Sequence, residues 1–99
     1  EPNETAITRA VLEFLNAQPG VLAFKYQASP TALAGIPDVL AIVPPHGRLM
    51  ALEVKRPGQQ PSRLQIRRMQ QLSKAGAACA VVTSRDEAAA ALKKITDPD

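Results

Sequence analysis

Large aromatic side chains are scarce in this sequence: among 99 residues there is no tryptophan, one tyrosine and two phenylalanines. A core must therefore be assembled from Ala, Val, Leu and Ile, and recognition by base stacking has few rings to draw on. Cysteine occurs once, at Cys79 in "AACAVV", which excludes an internal disulfide framework and a cysteine-based zinc site. Its apolar surroundings predict a small buried core residue. Long apolar runs are missing as well. No stretch approaches the roughly 18 residues of a membrane span, and no charged leader with an apolar segment follows the N-terminus, so an intracellular, non-membrane protein is expected.

Acids are absent from one long segment. Between Lys55 and Lys74 lie six of the twelve basic residues (Lys55, Arg56, Arg63, Arg67, Arg68, Lys74) and no Asp or Glu. The whole chain carries only +3, so the asymmetry is local, as on a surface that faces phosphates or as on a solvated helix face.

Hydrophobic residues make up 45% of the chain, which is enough for one core in a single domain spanning residues 1–99. Asn3 caps a predicted helix from Glu4, with Ile7, Val11, Phe14 and Leu15 at helical spacing before "QPG". Strands are expected at 21–26, 38–43 and 48–54, the last two joined by "PPHG" as an antiparallel hairpin with His46 in an exposed turn. A helix at about 62–75 ends at Gly76, a strand follows at 77–83, and Ser84 with Glu87 forms a capping box for a last helix at about 85–95, before a frayed "TDPD" tail. The class is α/β, a mixed sheet flanked by helices in the order αβββαβα. Near-continuous apolar runs in the middle strands predict that both sheet faces are covered.

Five polar residues break this pattern. At 100° per residue Glu4 falls on the apolar side of the first helix, and Gln65 shares a side with Met69 and Leu72, near Ile66. Glu53 and Lys55 must share one face of their strand, and Asp38 opens another apolar run. Unpaired buried charge costs several kcal/mol, so such groups persist when paired, when bonded to a metal, or at a wet cleft. A structural ion pair of Lys55 with one acid explains a single pair only. A hard divalent cation, Mg²⁺ or Mn²⁺, explains the set: Asp38 and Glu53 as carboxylate ligands, the Val54 backbone carbonyl as a third, and Lys55 holding or helping to deprotonate a water aimed at phosphorus. That chemistry is phosphodiester hydrolysis, with Arg56, Arg63 and Arg67 holding the flanking phosphates.

"PD" at 37–38 with "EVK" at 53–55 resembles the PD-(D/E)xK nuclease signature. "GIPDVLAI", "ALEVKRPG", Gln65 in "SRLQ" and the early helix bearing Glu4 resemble, over nearly the whole chain, its virus-type replication-repair branch, the VRR-NUC domain. The resemblance implies a restriction-endonuclease-like fold. It implies Glu4, Asp38 and Glu53 as metal-site acids, with Glu4 behind the direct ligands or at a second metal, Lys55 as the catalytic lysine and Gln65 as an active-site glutamine.

Minimal members of that family resemble homodimeric, structure-selective endonucleases acting on branched DNA such as Holliday junctions or flaps, and a chain of this length looks like that type. A bacterial or phage cytoplasm is the expected setting, or a nucleus if the chain is a module of a larger protein. Two alternatives stand beside the enzyme: a non-catalytic DNA-binding or assembly module on a nuclease-like fold, and a sequence-specific restriction-type enzyme.

Overall fold

A computed structural model describes residues 2–97. Asn3 extends just ahead of α1 (Glu4–Asn16) and accepts the Ala6 N–H on its side-chain oxygen at 2.9 Å. Ile7, Val11 and Leu15 then form the buried stripe of that helix. Six further elements follow: β1 (Leu22–Lys25), β2 (Val39–Val43), β3 (Arg48–Val54), α2 (Arg63–Lys74), β4 (Ala78–Val82) and α3 (Arg85–Thr96). The order is the expected αβββαβα, with boundaries shifted by a residue or two. Of the tail, Thr96 still belongs to α3, and Pro98 and Asp99 lie outside the described residues. No helix among the described residues is long and apolar enough to cross a membrane.

Two helix caps differ from the expectation. Ser84 accepts the Glu87 N–H at 3.1 Å, but Glu87 turns to the Thr83 N–H and hydroxyl, so the predicted box at α3 is half formed. The complete capping box is at α2. There Ser62 Oγ accepts the Gln65 N–H at 3.1 Å and Gln65 Oε1 accepts the Ser62 N–H at 2.8 Å.

The sheet runs β1-β2-β3-β4, antiparallel in its first two pairings and parallel between β3 and β4, which α2 connects. The "PPHG" turn closes the β2–β3 hairpin with the Gly47 N–H on the Val43 carbonyl at 3.0 Å, and His46 is exposed there. On the inner face Ala23, Val39, Ala41, Val43, Met50, Leu52, Val54 and Val82 meet α1 and α3, which contributes Ala88 and Leu92. At about 25 cal/mol per Å² of apolar surface, this single layer is the main source of stability.

The outer face is not fully covered, contrary to expectation. The second helix lies against β4 and buries no residue completely. Leu22, Phe24 and Ile42 remain 61, 45 and 38% exposed. Their strands read like covered ones because both faces are apolar, yet no helix or strand among the described residues packs over this half. Cys79, on the same face beside Ala51, is half-buried and not a core residue.

The β1 edge of the sheet is partly occupied by a side chain. Asn16, the last residue of α1, accepts the Ala23 N–H at 2.8 Å and donates to the Ala23 carbonyl at 3.0 Å, imitating a neighbouring strand. At the other end of β1 the loop to β2 is tied to α2. Arg68 donates to the Ala34 carbonyl at 2.8 Å, and Gly35 (φ +81°) sits so close that a Cβ would lie 2.7 Å from Leu64 Cγ. This anchors the entry to Pro37 and Asp38.

Candidate active site

The β2–β3 register determines the site. The last registered pair is Val39–Leu52, and one further step sets Asp38 opposite Glu53 on the outer face. Alternation then returns Lys55 to the same face. The Val54 N–H donates to Asp38 Oδ2 at 3.0 Å, while the Asp38 carbonyl accepts the Tyr26 N–H at 2.8 Å, so backbone bonds hold Asp38 from both sides.

Glu53 is 1% exposed, and its two carboxylate oxygens differ. Oε2 accepts from Gln65 Nε2 at 3.1 Å and lies 3.6 Å from Lys55 Nζ, whereas Oε1 is buried without a partner. Burial, foremost, and the adjacent Asp38 carboxyl push Glu53 up to about 8, against the opposing pull of Lys55. Glu53 therefore holds a proton near neutral pH, and with Asp38 it forms a pair of facing oxygen donors; uptake of a divalent cation would displace that proton.

The capping box determines the direction of Gln65. Its Oε1 is taken by the Ser62 N–H, so Nε2 must face Glu53. Gln65 and Met69 are half-buried as their helix face predicts, but the neighbouring Ile66 is 43% exposed. Arg56, Arg63 and Arg67 are exposed. Arg68, from the same basic segment, is engaged instead with Ala34 and Gln71.

Glu4 departs from the expected core-facing placement. It opens α1 and is exposed, and no group of three or more Asp, Glu, His or Cys able to hold a metal occurs among the described residues. Helical phase aligns Glu4 with Val11 and Leu15, but the first turn overhangs the packed layer. The structure thus brings together Asp38, Glu53, Lys55 and Gln65, while Glu4 is exposed at the start of α1.

Two contributors escaped the sequence reading. Ser62 was signalled by the S-x-x-Q pattern of a capping box. Pro37, fully buried, stands opposite Val54 when the register is extended, and proline has no N–H to offer the Val54 carbonyl. Its signal was simply "PD" at the mouth of a strand.

A VRR-NUC domain model matches residues 3–86. One solved structure described as a VRR_NUC domain aligns at TM-score 0.72 with 28% identity, covering 95% of each chain. A second, described as a VRR_NUC domain protein, aligns at TM-score 0.72 with 18% identity, over 96% of this chain and 86% of the other, a likeness of fold. No curated protein matches. With its opposed acids, lysine and glutamine on this fold, the chain belongs to the VRR-NUC family, a family of nucleases that cleave phosphodiester bonds.

Proposed function

We propose that the protein is a Mg²⁺- or Mn²⁺-dependent endonuclease that works as a homodimer on branched DNA, such as Holliday junctions or flaps. The observation that carries this reading is the Asp38–Glu53 pair, with Glu53 Oε1 buried and lacking any hydrogen-bond donor. Asp38, Glu53 and the Val54 carbonyl are all oxygen donors, and that set fits a hard divalent ion. When bound, such an ion offsets the charge that gathers on the phosphoryl oxygens during in-line attack.

The chain's own side chains supply the remaining roles. Gln65 fixes Glu53 by donating to Oε2, leaving Oε1 without a protein donor and free to help hold the ion. Lys55 Nζ, 3.6 Å from Glu53, holds the attacking water and assists loss of its proton. Arg56, Arg63 and Arg67 grip phosphates on either side of the scissile bond, and contacts of that kind read backbone shape more than base sequence. The exposed placement of Glu4 suits a role through water behind the ion's direct ligands.

The test is cleavage of labelled linear duplex, single-stranded, flap and four-way-junction DNA with Mg²⁺, Mn²⁺ or EDTA. Metal-dependent cutting of the branched forms is expected. Binding without cleavage on every substrate would overturn the enzyme in favour of a binding module, and cutting of one linear sequence alone would favour a restriction-type enzyme.

A further inference from the structure

The two margins of the sheet are treated differently. On β1 the Asn16 amide takes the hydrogen-bonding places beside Ala23. At the other margin, β4, the Val82 carbonyl accepts the Lys55 N–H from the β3 side at 3.0 Å, so by alternation the N–H and C=O groups of Cys79 and Val81 point away from the sheet. Among the described residues no hydrogen bond closes on these four groups. The sequence does not guard them either: "AACAVVT" at 77–83 holds no proline and no charge, the usual protections of an exposed strand.

Small side chains on β4 leave hollows on both of its faces. Toward α3 a cavity of about 360 Å³ is lined by Met50, Leu52, Ala80 and Ile95, with Arg48 and Lys94 as its charged residues and no acid. Toward α2 a second cavity, of about 440 Å³, lies among Ile66, Met69, Gln70 and Val81. A strand laid along β4 turns successive side chains to opposite faces, one toward each hollow.

From this we infer that β4 receives an extended segment of a partner protein as a fifth strand, with apolar side chains entering the two cavities in turn and an acidic residue meeting Arg48 and Lys94. The Cys79 and Val81 backbone groups supply affinity, and the cavities supply selectivity. Arg48 Nε is engaged by the Gly76 carbonyl at 3.1 Å, which leaves the terminal guanidinium nitrogens for a carboxylate. A second copy is the poorer occupant, because its β4 brings no acid to the two cations. Nucleic acid cannot complete a β-ladder. Val81 registers with Glu53, so the added strand lies about two strand spacings, roughly 10 Å, from that acid. A nuclease fastened in this way is delivered by its partner and keeps the Asp38 side of the sheet clear.

The probe is a displayed library of short random peptides, selected on the full chain and counter-selected on Val81→Pro. That substitution removes an outward N–H without touching the β3 ladder, so circular dichroism should be unchanged. Recovered peptides should alternate apolar residues and carry Asp or Glu near one end. A synthetic copy should bind Val81→Pro at least about tenfold more weakly than the wild type, by fluorescence polarisation. Lys94→Glu should weaken it by a similar factor, and exchanging the peptide's acid for Lys should restore binding to that variant. Bound peptide should also slow hydrogen exchange at the Cys79 and Val81 amides. A library that yields no binder sensitive to Val81→Pro, or protection confined to other amides, would overturn the assignment. So would a wild type of doubled mass that Val81→Pro returns to single-chain mass, since the edge would then belong to a second copy.

Discussion

Asp38 and Glu53 stand opposite each other one step past the last registered pair of the β2–β3 hairpin. Their fifteen-residue separation thus reflects two strands and a tight turn, and the turn sets the register that aligns them. Opposed carboxyls are unfavourable in the free protein, which is the form of strain expected where a fold has been shaped for a ligand.

Glu53→Gln removes the buried carboxylate and keeps a hydrogen-bonding group. It should stabilise the metal-free protein by about 1–2 kcal/mol while reducing cleavage at least about 1,000-fold. Lys55→Ala should reduce cleavage by a similar factor without loss of fold. Near-wild-type rates in either variant would refute the assigned roles.

The pH dependence of stability follows from Glu53, whose pKa is raised from 4.5 to about 8 by burial and by Asp38. Between those values the folded state holds a proton that the unfolded state has released. The stabilisation is thus complete below about 4.5, shrinks as pH rises, and is gone above about 8. Urea titrations in EDTA from pH 5 to 8 should show falling stability for the wild type and a flatter profile for Glu53→Gln. A wild-type profile that rises across this window would contradict the burial of the pair.

Gln65 and Ser62 can be separated by substitution. Ser62→Ala removes one cap bond and should cost about 1 kcal/mol, with a modest effect on Mn²⁺ affinity. Gln65→Ala removes the reciprocal bond and also frees Glu53 Oε2. It should lower Mn²⁺ affinity by at least about tenfold, measured by calorimetry. Equal affinities in the two variants would reduce Gln65 to a helix cap.

Pro37→Ala introduces an N–H opposite the Val54 carbonyl. A ladder bond there would compete with the ion, so Mn²⁺ affinity should fall about fivefold to tenfold, beside a loss of about 1 kcal/mol of stability from the smaller buried side chain. Unchanged affinity would remove the Val54 carbonyl from the ligand set.

Much of this arrangement could be read from residue order. The bounds of β3 matched, Glu53 and Lys55 emerged from strand alternation, Asp38 from its place at the head of an apolar run, and the hairpin was marked by "PPHG". Glu4 was misplaced because helical phase gives a direction and not a depth. The dual use of Gln65 was invisible because one of its bonds is local and the other depends on how α2 sits over the sheet. The open outer face was hidden for a different reason. An apolar strand looks the same whether its cover belongs to its own chain or to another.

Asn16 adds a limit to how these molecules can gather. By taking the hydrogen-bonding places beside Ala23, its amide obstructs a foreign β-segment that would extend the sheet on the β1 side, and leaves β4 as the edge open to such an addition.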